Sequence, residues 1–239
     1  MTTNDSWVRI SKLLASRGVC SRREADSYLE RGLVLVNGQV AKLGERAAPD
    51  AHITLAHAAR ARQNRRVTIL LNKPVGYVSG QPENGYQSAH VLLTPERAAG
   101  PVDRQPPKEL AVAGRLDIDS QGLLVFTEDG RIARLLIGGN TIEKEYLVRL
   151  TDPIDDAALA RLRGPMRLDD QLLRPVRVQR LGPNYLSLVL IEGRKRQIRR
   201  MLTLVGHSVV GLKRVRIGRI RLKGLPLGQW RYLTADEQF

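Results

Sequence analysis

The spacing of hydrophobic positions changes several times along the chain. Val8, Ile10, Leu13 and Leu14 recur at helical intervals, with Ser11 placed to cap and Gly18 to stop the run. Ser21 followed by Glu24 three residues on is a capping box, which predicts a helix over Arg22–Glu30 ending at Gly32. The pattern then shortens to strand length. Leu33–Val36, the turn Asn37-Gly38 and a return from Gln39-Val40 predict a hairpin, and His52–Leu55 reads as a closing strand. Residues 8–57 thus predict one small unit. Ala56–Arg66 is rich in Ala, Arg and Gln and has no hydrophobic period, so residues 58–66 read as a basic linker.

From Val67 to the end, short apolar runs dominate. Strands are predicted at Val67–Leu71, near Ala111–Val112, and at Leu123–Thr127, Tyr146–Leu150, Pro175–Gln179, Leu186–Ile191, Val215–Leu222 and Gln229–Leu233. Helices are few: Arg131–Leu136, Asp155–Leu162 and a basic one over Lys195–Val205. Residues 94–109 hold Pro95, Pro101, Pro106 and Pro107 and read as an exposed loop. Strands and helices do not alternate, so residues 67–239 predict an α+β domain around a mixed, mostly antiparallel sheet.

Charge adds direction. The 239 residues carry 39 Lys and Arg against 24 Asp and Glu, a net +15. Residues 1–66 hold 12 basic and 6 acidic groups, residues 67–150 hold 9 and 10, and residues 151–239 hold 18 and 8. Arg194–Lys223 has eleven cations and no acid, which favours a phosphate-facing surface over a solvated one. Nucleic acid is therefore the first partner class. Aromatics make up 4% of the chain, against a binder built on rows of stacked rings. The single Cys20 excludes a disulfide framework and a multi-cysteine metal site, and its surroundings suit a small buried residue. No apolar run approaches the ~18 residues of a membrane span. Met1–Ser11 has no apolar segment, so neither a signal peptide nor membrane association is expected and the location reads as cytoplasmic.

The sharpest chemistry is Gly114-Arg115-Leu116-Asp117-Ile118-Asp119-Ser120-Gln121-Gly122-Leu123-Leu124. Asp117 sits among strand-forming apolar residues and needs a partner. Gly114 and Gly122 permit close backbone approach. On the residues alone, Asp117 could be an acid/base or nucleophilic carboxylate, a magnesium ligand or a turn cap. A metal-dependent nuclease using Asp117 and Asp119 and a non-catalytic RNA-binding assembly factor are the rival readings.

Two resemblances bear on that choice. The segment from Arg9 through Ser21-Arg22-Arg23-Glu24-Ala25 to Asn37-Gly38 resembles the small alpha-L RNA-binding domain of ribosomal-protein type. Lys73-Pro74-x-Gly76, Gly114-Arg115-Leu116-Asp117, Lys144-Glu145-Tyr146 and Glu192–Met201 stand in the order of the RsuA/RluB/RluE/RluF family of pseudouridine synthases, over residues 8 to 236. Asn140–Tyr146 and Leu225–Arg231 most resemble the RluF branch. The resemblance implies isomerisation of a uridine in large-subunit ribosomal RNA, with an RsuA- or RluB-like synthase acting on another ribosomal RNA site as the alternative within the family; some relatives of the RluF branch also act on a transfer RNA. It implies no cofactor and no metal, because nothing is added or lost, and the chain is expected to act as a monomer. It makes Asp117 the nucleophile or base, Tyr146 the ring against the target base and Arg199 the partner of Asp117. Arg115, Lys73, Arg194, Arg196 and Arg200, with Lys12, Arg22 and Arg23 on the small domain, are the expected RNA contacts.

Overall fold

The computed structural model describes residues 7–138 and 141–239. Residues 1–6 of the N-terminal stretch and Asn140 of the Asn140–Tyr146 segment lie outside the described residues.

The small unit begins with β1 (Val8–Arg9) and α1 (Ile10–Ser16), then α2 (Arg22–Glu30). The capping box forms as the spacing predicts: Glu24 N–H donates to Ser21 Oγ at 3.3 Å, and Ser21 N–H donates to Glu24 Oε2 at 2.7 Å. Ser11 does not cap α1. Arg9 holds that position, and Ser11 is buried within the helix. Strands β2 (Val34–Val36), β3 (Gln39–Val40), β4 (Arg46–Ala47) and β5 (Ile53–Leu55) follow, with β2 between β3 and β5 and β4 against β1. Ile10, Leu14, Cys20, Ala25, Tyr28 and Val34 meet in this unit's own core. Burial pushes the Cys20 thiol up to about 11, so it stays a neutral packing group.

The predicted linker is instead a helix, α3 (His57–Asn64). It buries Ala59 and Gln63, one turn apart, and Gln63 Nε2 donates to the Val19 carbonyl at 2.9 Å. A buried glutamine satisfied by a distant carbonyl leaves no apolar stripe to read. Arg66 follows, ion-paired with Glu24 and donating to Tyr28 Oη at 2.8 Å.

The large unit contains β6 (Thr68–Lys73), β7 (Ala111–Val112), β8 (Gln121–Thr127), α4 (Gly130–Gly138), β9 (Lys144–Leu150) and α5 (Asp156–Arg163). The hairpin β10 (Arg167–Leu168) and β11 (Gln171–Leu172) comes next. The chain then forms β12 (Arg177–Gly182), β13 (Tyr185–Leu190), α6 (Gln197–Leu204), β14 (Val209–Ile217), β15 (Ile220–Arg221) and β16 (Trp230–Tyr232). The main sheet runs β12-β13-β9-β14-β8-β6-β16, and β14 with β8 is its one parallel strand pair among the described residues. The mixed, mostly antiparallel sheet is as expected. One face packs α5 and α6, with Met201 of α6, over Leu124, Phe126, Val148, Leu186 and Leu188. The other packs α4 and the β15 turn over Leu70, Leu123, Val125 and Ile217. The loop at 94–109 is mostly irregular, with one short 3₁₀ turn at Pro95–Arg97.

Candidate active site

The site lies where β8, β9 and β14 meet the segment before β8. β14 and β8 pair in parallel there, through Arg214 and Gly122, and Gly122 makes the close approach. Its φ is +112°, and a Cβ there would overlap the Arg214 carbonyl oxygen and come within 2.8 Å of the Arg214 nitrogen. The segment 114–120 hangs from that junction. Ser79 Oγ fixes it at both sides of Leu116, donating to its carbonyl at 2.7 Å and accepting from its N–H at 2.8 Å. Ser120 N–H donates to the Asp117 carbonyl at 3.1 Å, closing a turn around Asp117.

Asp117 itself is half-buried, and its carboxylate forms no ion pair or hydrogen bond among the described residues. Its charge nevertheless reaches Lys73, Arg196 and Arg199. A carboxylate left free beside cations stays available to a substrate.

Arg199 was expected to pair with Asp117, and here the structure differs. Arg199 Nε lies 3.2 Å from Asp119 Oδ2, Nη2 donates to the Asp119 carbonyl at 2.9 Å, and Nη1 donates to Val209 O at 3.0 Å. Arg196 Nη2 shares the same carboxylate at 3.0 Å. Burial lowers the Arg199 pKa below the usual guanidinium range, and Asp119, then Asp117, oppose that shift. Arg196, with φ of +53°, is raised chiefly by its bond to Asp119. Asp119, paired with Asp117 in the nuclease reading, is thus the anchor for two arginines of α6 and its approach. The partners are 77 and 80 residues apart in the chain, so no local spacing announces them.

Lys73 was expected among the RNA contacts and is not a surface cation. It is 0% exposed, and Nζ donates to the carbonyls of Pro74 at 2.8 Å and Tyr77 at 2.9 Å. Burial pulls its pKa down to about 8, while Asp119 and Asp117 hold it up. Arg194 and Arg200 are likewise committed. Arg194 donates to Gln171 Oε1 and Leu172 O, bracing the β10–β11 hairpin, and Arg200 forks onto the Asp169 carboxylate of that hairpin. Arg115 is exposed beside Asp117, and Lys12, Arg22 and Arg23 are exposed on α1 and α2.

Tyr146 is 8% exposed on β9, in the same apolar cluster as Leu116 and Ile198. Its hydroxyl lies 3.4 Å from Nη1 of Arg214, a residue the sequence reading missed. Lys144, also buried, is lowered by burial and by Arg214.

The arrangement is one free carboxylate, one ring with a hydroxyl, and a shell of cations at the mouth of a mixed sheet. Residues 67–204 match the model of the RNA pseudouridylate synthase family, and residues 8–53 match the S4 domain. The chain is 36% identical to the dual-specificity RNA pseudouridine synthase RluF of Escherichia coli, over 98% of this chain and 78% of that one. It is also 36% identical to the ribosomal large subunit pseudouridine synthase B of Haemophilus influenzae, over 95% of this chain and 65% of the relative. A crystal structure of a pseudouridylate synthase superposes with a TM-score of 0.63 at 28% identity, covering 95% of this chain and 96% of the other. A family model over more than half of the chain, and that identity over nearly all of it, agree with the geometry: this chain belongs to the RNA pseudouridylate synthase family and carries an S4 domain before its catalytic unit.

Proposed function

We propose that this protein converts a uridine of large-subunit ribosomal RNA to pseudouridine, with transfer RNA as a second substrate. The carrying observation is Asp117, the half-buried carboxylate without an ion partner among the described residues, within reach of several cations. The large-subunit substrate follows the name of the Haemophilus relative, and the dual specificity named for the Escherichia coli relative supports a second RNA class.

The base must leave its stack before it can meet Asp117, at a cost of a few kcal/mol. Phosphate contacts from Lys12, Arg22, Arg23 and Arg115 offset that cost. Asp117 then acts in one of two ways, as a nucleophile at ribose C1′ or as a base on a ribose proton. Both need the carboxylate ionised and unobstructed. The glycosidic electrons leave to N1 of the uracil. The base turns and C5 bonds to C1′, as the ester to Asp117 breaks on the first route or as the abstracted proton returns to the ribose on the second; the C5 proton departs and N1 gains one. Tyr146 packs on the turning base, with its hydroxyl placed for that proton. Arg199 serves through Asp119, holding the loop that carries Asp117. The product is an isomer, so no cofactor is required. The protein works as a cytoplasmic monomer on this reading. Asp119, shared by two guanidiniums, is a poor second ligand for a metal-dependent nuclease.

Asp117→Asn tests the assignment. Tritium release from C5-labelled RNA should vanish while RNA affinity stays within about twofold. Residual release from the purified variant removes Asp117 from the reaction. Carbodiimide mapping of ribosomal and transfer RNA, from cells with and without the gene, identifies the modified site.

A further inference from the structure

Arg214 is 1% exposed and forms no ion pair among the described residues. Taking a guanidinium out of water without a carboxylate is unfavourable, and an apolar side chain of similar volume would ordinarily be the more stable occupant. What Arg214 gains is geometric. Nε donates to the Leu123 carbonyl at 2.8 Å and Nη2 to the Gly114 carbonyl at 2.8 Å. Nη1 lies 3.4 Å from both the Arg115 carbonyl and the Tyr146 hydroxyl. The guanidinium carbon also stands 6.0 Å from the centre of the Tyr146 ring.

Three parts of the site therefore meet on one planar fork. The Gly114 and Arg115 carbonyls immediately precede Leu116-Asp117. Leu123 lies in the buried run of β8. Tyr146 is on β9. A guanidinium holds such groups at fixed mutual angles, which an ammonium on a flexible stem does not. The approach of backbones at Gly122 sets where the fork starts, because β14 pairs with β8 through Arg214 and Gly122.

We propose that Arg214 is a positioning residue for the isomerisation. It fixes the loop carrying Asp117 relative to the Tyr146 hydroxyl, and it does so without touching the RNA. This inference rests on the isomerase reading of the same site. Reacting groups need placement within about 0.5 Å, so loosening the fork lowers turnover and leaves RNA grip intact.

The test uses the full-length protein and an RNA in which the wild type forms pseudouridine. Wild type, Arg214→Lys and Arg214→Met are compared by thermal melting, by equilibrium RNA binding and by kcat and KM. The expected result is RNA affinity within about twofold of wild type for both variants. Arg214→Met should lose about 100-fold in kcat and Arg214→Lys about 10-fold, the retained charge giving partial rescue. If Arg214→Met does not fold, Arg214→Lys decides alone. A folded variant with kcat within threefold of wild type overturns the proposal, as does a loss confined to KM. Failure of both variants to fold also overturns it, because the residue then holds the fold rather than the site. A wild type that forms no pseudouridine in any RNA fails the isomerase reading instead.

Discussion

Lys73 presents a fully buried cation with no ion partner among the described residues, held by the carbonyl oxygens of Pro74 and Tyr77. Its pKa is about 8, down from the ordinary 10.5, with burial the leading cause. Between those values the unfolded chain keeps a proton that the folded chain has released. Stability attributable to Lys73 therefore rises with pH across that window, and below pH 8 the penalty of burying the charged amine is present in full. Urea unfolding of wild type and Lys73→Met at stepped pH should show wild type gaining on the variant between pH 8 and 10.5. A constant difference would show that Lys73 does not titrate there. The two unfilled carbonyls in the variant shift the whole difference and leave its slope alone. The family resemblance put Lys73 among the RNA contacts; its burial comes from β6 being interior, hydrogen-bonded on both sides by β8 and β16. Asp117 was legible because glycines and apolar neighbours frame it locally. Asp119 and Arg214 were not, because every partner that explains them is distant in sequence.

At the scale of elements, the join between the two units turns on a helix terminus. Gly130 opens α4, and a Cβ on it would overlap the capping box of α2, with Ser21 Oγ at 2.7 Å. Glu24 of that box also pairs with Arg66, while Asp129 caps the start of α4 by accepting from Arg131 N–H at 2.9 Å. Replacing a helical glycine by alanine normally stabilises by up to about 1 kcal/mol. Here steric overlap should win. Gly130→Ala is expected to destabilise by about 1–3 kcal/mol, as overpacking does, with the loss read as a lower urea midpoint. A higher midpoint would mean that α2 and α4 do not make this contact. The box itself was readable from Ser21 and Glu24, since both partners lie within one turn. Its second use against α4 was not. The helix α3 and the true start of β14 at Val209 escaped for related reasons. Gln63 interrupts the apolar stripe of the one, and Gly211 with a bulge at Arg214–Arg216 breaks the alternation of the other.

Over the whole molecule, the excess of cations divides into two populations. The acid-free span Arg194–Lys223 had suggested a continuous phosphate-facing surface, yet Arg194, Arg196, Arg199, Arg200, Arg214 and Arg216 are all engaged within the protein. Their acids, Asp119, Glu143, Glu145 and Asp169, come from other segments, so local charge counts overstate what is free to meet RNA. By contrast, Lys12, Arg22 and Arg23 of the S4 domain are exposed and form no ion pair among the described residues. Arg22 and Arg23 also open α2, whose first N–H groups favour phosphate. The salt dependence of binding counts phosphates neutralised, with a slope of about 0.7 to 0.9 per contact on a log–log plot. Replacing Lys12, Arg22 and Arg23 together by alanine should therefore lower that slope by about 2 and weaken RNA affinity. Turnover at saturating RNA should stay close to wild type, because none of the three reaches Asp117 or Tyr146. Replacing Arg194 and Arg200 should change the slope by less than one, since their charges are already spent on the β10–β11 hairpin. Filter binding across a salt series distinguishes the cases, and equal slopes for wild type and the triple variant would move the RNA grip away from the S4 domain.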